Sequence, residues 1–112
     1  MNKELKDRWI AALRSGDYPQ TQNELCNSAG YCCLGVLCDI YDNTKWRNSE
    51  DGVVSYAFGH TRCNEFPTYT WLEKVVYLPH IQAQHLATLN DEKGYDFHDI
   101  AQWITDNVKE TA

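Results

Sequence analysis

No stretch of this chain approaches the ~20 consecutive apolar residues that a membrane-spanning helix needs, so a membrane role is not expected. Cations are scarce: ten Lys and Arg face sixteen Asp and Glu, for a net charge of −6. A protein that grips a phosphate backbone needs clustered Lys and Arg, so nucleic-acid backbone binding is not expected either. Met1 to Arg8 is charged and no apolar segment follows, which is not a secretory signal pattern; the expected compartment is the cytoplasm. Gly16 and Gly35 stand alone, with no phosphate-cradling loop, no dinucleotide fingerprint and no nucleophile-elbow serine around them. No internal repeat or low-complexity linker divides the 112 residues, so one domain, 1–112, is expected.

What is present is aromatic and thiol-rich. Four Trp, seven Tyr and five Cys occur in a chain that is 43% hydrophobic. Without an export signal those thiols are expected to be reduced. The acids are scattered, except towards the C-terminus, where Asp91, Glu92, Asp96, Asp99, Asp106 and Glu110 read as a solvated helix face rather than as a row mimicking DNA phosphates.

The periodicities give an α+β class: about four helices packed on a small antiparallel sheet, with one central, buried, cysteine-rich helix. Leu5, Trp9, Ala12 and Leu13 mark a helix from Lys3 to Ser15, stopped by Gly16. Asn27 to Gly30 reads as the turn of a short hairpin joining Glu24–Cys26 to Tyr31–Cys32. From Cys33 to Asp42 two apolar stripes, one through Cys33, Val36, Leu37 and Ile40 and one through Leu34, Leu37, Cys38 and Tyr41, cover so much of the circumference that the helix must be buried. Asp39 and Asp42 are expected to face solvent. Val53 to Phe58 is the best strand, and a second is expected over Lys74–Tyr77. Pro79 opens a helix to Leu89, in which His85 sits on the apolar stripe as a core histidine. Asp96 caps a last helix whose stripe is Phe97, Ile100, Ala101, Ile104 and Val108.

Three constellations carry chemistry, and the residues leave all three open. Aromatic rings in the irregular middle, Trp46, Tyr56, Tyr69 and Trp71, lie near Arg47 and Arg62 in sequence; such rings stack a base while a guanidinium pairs its phosphate. Arg14, at the end of the first helix with Ser15 and Tyr18, either joins this ligand site or anchors the hairpin. A metal set of Cys26, Cys32, His60 and Cys63 would suit zinc, because His60-Thr61-Arg62-Cys63 has a tight ligand spacing; no other cofactor is expected. Cys33 stands at a helix N-terminus, where backbone N–H groups favour a thiolate, as a nucleophile requires. Alternatively, Cys33 and Cys38 are small buried hydrophobes.

The run Cys33-Leu34-Gly35-Val36-Leu37-Cys38-Asp39-Ile40-Tyr41 resembles the cysteine helix of papain-like, NlpC-type peptidases, which implies the Cys33–His60 hydrolase reading. A broader resemblance spans about half the chain. Trp9-Ile10-Ala11-Ala12-Leu13-Arg14-Ser15-Gly16-Asp17-Tyr18, then Tyr31-Cys32-Cys33-Leu34-Gly35-Val36-Leu37-Cys38-Asp39, then Leu89-Asn90-Asp91 followed by Phe97, Ile100, Ala101 and Ile104, resemble in this order a group of small phage and prophage accessory proteins. That resemblance implies a viral protein in the host bacterial cytoplasm. It implies a non-enzymatic binder that inhibits a host protein, such as a defence component, or sequesters a small nucleotide-like signal. It carries no catalytic residue. The oligomeric state is left open, and Thr44 to Tyr77 has no counterpart in the group, which makes it the expected seat of specificity.

Overall fold

The structure, a computed structural model, describes residues 1–111. Among these residues it is an α+β fold with four α-helices and two small antiparallel sheets. None of its helices is long and apolar enough to cross a membrane.

Helix α1 (Lys3–Arg14) starts where the Asn2 side chain accepts the Leu5 N–H, and stops before Gly16, whose φ of +80° suits glycine. Trp9 and Leu13 lie four apart on its buried face. Strands β1 (Cys26–Asn27) and β2 (Gly30–Tyr31) form the expected hairpin, with Cys26 opposite Tyr31. Helix α2 (Cys33–Tyr41) follows at once, and Cys33 through Cys38 are all buried. This is the central helix: α1 and α3 pack on it, and α1 also lies along α4. Each fully buried leucine or isoleucine of this core, such as Leu37, Leu86 and Ile104, is worth roughly 1.5–3 kcal/mol of burial.

A 3-10 turn (Asn43–Lys45) leads into a three-stranded sheet of β3 (Trp46–Asn48), β4 (Val54–Phe58) and β5 (Thr61–Cys63), with β4 in the middle. The strand expected at Lys74–Tyr77 does not form. Trp71–Val75 is a π-helical turn, in which the Val76 N–H reaches back to the Trp71 carbonyl at 3.0 Å. Two neighbouring valines and a tyrosine resemble a strand in composition. Yet Leu72, Val76 and Leu78 are buried here by a coil that ends with Tyr77 in the left-handed region, φ +56°. Helix α3 (His80–Asp91) and helix α4 (Phe97–Asn107) complete the chain. Asp96 and Asp99 form a reciprocal capping box at the start of α4.

Trp9, Cys33 and Asn90, far apart in sequence, meet at one buried junction. The Trp9 indole donates to the Cys33 carbonyl at 2.9 Å. Asn90, 1% exposed, accepts from the Cys33 N–H (3.2 Å) and the Gln20 amide (2.9 Å) and donates to the Thr21 carbonyl (2.9 Å). A Cβ on Gly35 would stand 1.8 Å from the Leu25 carbonyl oxygen, so only glycine lets α2 approach the backbone just before β1.

Candidate functional site

One chain of aromatic rings runs through the middle of the molecule. Trp46 on β3 is opposite Tyr56 on β4, and Tyr56 and Phe58, two apart, share a face of the sheet. From Tyr18 the ring centroids step to Tyr31 (5.1 Å), Trp46 (6.0 Å), Tyr56 (4.9 Å), Trp71 (6.1 Å) and Tyr41 (5.7 Å), every contact edge-to-face. Phe58 also meets Trp71 at 5.1 Å. Aromatic quadrupoles favour this geometry.

At one end the chain closes on a carboxylate. Asp39 accepts from the Tyr18 hydroxyl (2.5 Å) and from the Trp46 indole N–H (3.0 Å), and is half-buried rather than in solvent as expected. Burial first, then the hydrogen bond to Asp39, pushes the Tyr18 phenol well above its ordinary range. Tyr18 thus locks the loop after α1 onto α2, rather than lining a pocket. Asp42 is used too: it accepts the Thr44 N–H and hydroxyl, bonds that lower its carboxyl below the ordinary value.

At the other end the chain opens. Tyr41 is 43% and Val75 40% exposed, on either side of the buried Trp71. One cleft is lined by Phe58, Gly59, Thr68, Thr70, Trp71 and Val75. A second, sharing Val75, is lined by Leu5, Tyr41, Asn2, Glu4 and Arg8. The two adjoin at Val75 as one strip, mostly apolar in the first cleft and mixed in the second, where Asn2, Glu4 and Arg8 stand beside Leu5 and Tyr41. The Arg8 guanidinium is tied to the Ile40 carbonyl at 2.7 Å, which fixes one rim. Such a strip can bury apolar surface of another molecule and orient it with a few hydrogen bonds.

The expected base-stacking site is not assembled. Trp46, Tyr56 and Trp71 do come together, but as core packing with Tyr56 and Trp71 buried. Arg47 is opposite Ser55, and Arg62 opposite Ala57, so both arginines sit on the sheet face away from Tyr56 and Phe58. Arg47 also donates to the carbonyls of Thr44 and Trp46, folding back on the 3-10 turn and the start of its own strand. Arg14 reaches α4, donating to Gln102 at 3.3 Å. Tyr69 is exposed and stacks on His80 at 4.8 Å, apart from the ring chain.

Three of the five thiols, Cys32, Cys33 and Cys38, are buried, and Cys26 and Cys63 are half-buried. Cys33 is fully buried against the Leu86 carbonyl, and desolvation holds its pKa well above the ordinary value despite the helix N-terminus. His60 is exposed in the turn between β4 and β5, so the nucleophile and its expected base are not paired. Cys32 spends its sulfur capping α2, accepting the Gly35 N–H at 3.4 Å, and burial pushes its pKa up to about 12. Among the described residues no three His, Cys, Asp or Glu side chains gather as a metal group, so Cys26, Cys32, His60 and Cys63 are not brought together. His85, expected in the core, is exposed on α3 and stacks on Trp103 at 5.0 Å.

The strip's main residues, Tyr41 and Val75, were not marked as site residues by the sequence. Tyr41 lies on an apolar stripe of α2, which is a core signal, and Val75 lies in a stretch of strand-like composition. A family model described as a domain of unknown function, DUF8296, matches residues 1–108. No curated protein and no solved structure matches the chain.

Proposed function

The chain belongs to the DUF8296 family, and we propose that it is a non-enzymatic binding protein, an accessory protein of a bacterial virus that engages and inhibits a protein of the host. The observation that carries this reading is the concave strip, where exposed Tyr41 and Val75 flank the buried Trp71. A patch of large apolar side chains held on a rigid floor is a recognition surface rather than a reaction centre. Its segment carries two further marks of a functional site, a π-helical turn and a non-glycine residue at positive φ, Tyr77. The buried thiols, with pKa values raised by desolvation, offer no ready thiolate. The resemblance to phage and prophage proteins supplies the host context.

The test is affinity capture from bacterial lysates followed by native mass spectrometry of the purified pair. Val75→Arg should abolish a stoichiometric complex with one host protein while leaving the far-ultraviolet circular dichroism unchanged. Retention of the same partner by the folded Val75→Arg protein would sink the assignment to this strip. A bound species with the mass of a nucleotide, and no protein, would replace the reading by a signal-sequestering one.

A further inference from the structure

A second surface, on α4, has a different chemistry. Tyr95, Asp99, Gln102, Trp103 and Asp106 line a groove along the outer side of the helix. Asp99, Trp103 and Asp106 are spaced four and three apart, which sets an indole between two carboxylates on one helical face. The groove is held in place from both sides. His85 on α3 stacks on Trp103, with ring centroids 5.0 Å apart. Arg14 donates to the Gln102 carbonyl oxygen (3.3 Å), and the Gln102 amide donates to both oxygens of Asp106, at 3.0 and 3.2 Å. Asp99 keeps one oxygen on the Asp96 N–H through the capping box.

Neither Asp99 nor Asp106 has a cation of its own. Among the described residues the ion pairs are Lys3–Asp7, Lys6–Glu110 and His80–Glu73. We propose that this groove docks an arginine-bearing segment of a partner protein, the guanidinium lying on Trp103 and pairing with Asp106. The planar guanidinium matches both parts of the groove: it stacks on an indole and presents paired N–H donors to a carboxylate. Lysine, a compact and strongly hydrated charge, uses only the attraction. The net charge of −6 raises the encounter rate of such a segment, and the aromatic walls give it a place to settle. This site is separate from the apolar strip and stands or falls independently of it.

The experiment is an amide and indole NMR titration of the intact protein with hexa-arginine, hexa-lysine, spermine and an uncharged Gly-Ser peptide. Hexa-arginine should shift the Trp103 indole resonance saturably and bind more tightly than hexa-lysine or spermine. Asp106→Asn and Trp103→Leu should each weaken it about fivefold or more. Glu50→Gln, which removes the same charge from an exposed turn, should have little effect. Equal loss in Glu50→Gln and Asp106→Asn would overturn the proposal, because net charge alone would then explain binding. Shifts scattered over all acidic surfaces, or spermine binding as tightly as hexa-arginine, would overturn it as well. Should Trp103→Leu fail to fold, Asp106→Asn against Glu50→Gln decides the matter alone, since both positions are exposed.

Discussion

At the scale of single residues, the polar side chain that does most for the fold is Asn90. Its amide ties the Gln20–Thr21 segment to the start of α2, and breaking its bonds to the Cys33 N–H and the Thr21 carbonyl leaves buried backbone groups unsatisfied. Asn90→Leu should therefore lose about 3 kcal/mol or more, read as a lowered urea midpoint. Two glycines separate steric from conformational need. Gly35→Ala drives a methyl into the Leu25 backbone and should prevent soluble expression, whereas a Cβ on Gly16 meets nothing and Gly16→Ala should cost only about 1 kcal/mol for its positive φ. Burial also orders the thiols. Iodoacetamide near neutral pH should label the half-buried Cys26 or Cys63 first, and reach Cys32, Cys33 and Cys38 only after denaturation. Peptide mapping of the alkylated protein checks this, and fast labelling of Cys33 would revive the nucleophile reading.

At the scale of elements, the helices were legible because each carries a long apolar stripe and a recognisable start or stop. The short strands were not: Trp46-Arg47-Asn48 and Thr61-Arg62-Cys63 show no alternation of their own and exist because β4 lies between them. The coil at Trp71–Val75 was hidden for the opposite reason, since its composition favours a strand and tertiary burial overrides it. The burial of Asp39 is not legible in the sequence because its donors come from separate elements, Tyr18 from the loop after α1 and Trp46 from strand β3. The start of α3 shows how one element serves another. Its N-cap, Pro79, has no side-chain acceptor, and Glu73 of the π-helical turn takes the His80 N–H (2.6 Å) and faces its ring Nδ1 (3.0 Å). These bonds, the backbone one first, hold the Glu73 carboxyl below its ordinary value of 4.5. The linkage sign follows: the stabilisation is complete above that value and is lost as pH falls through the lower, folded-state value. Glu73→Gln should lower the melting temperature at pH 7 and flatten its fall in the acid range, seen by calorimetry from pH 7 to 3.

At the scale of the molecule, the resemblance motifs and the candidate surfaces occupy different places. The cysteine-rich run and the Leu89-Asn90-Asp91 turn build the junction of α1, α2 and α3, so the most distinctive part of the sequence is architectural. Tyr41 is an exception, standing at the end of that run and facing outward. Val75 and Trp71, which line the proposed strip, fall within the Thr44–Tyr77 stretch, whereas the second proposed face lies on the acidic C-terminal helix, whose Asp99 and Asp106 are exposed as the sequence leads one to expect. The four tryptophans happen to be distributed over these regions: Trp9 in the junction, Trp46 and Trp71 along the ring chain, Trp103 in the α4 groove. The protein consequently carries its own optical reporters. Packed rings in fixed orientations give a near-ultraviolet dichroism that vanishes when tertiary order is lost. Variants keeping one tryptophan at a time would turn that composite signal into separate colour channels, one for the interior and one for each face.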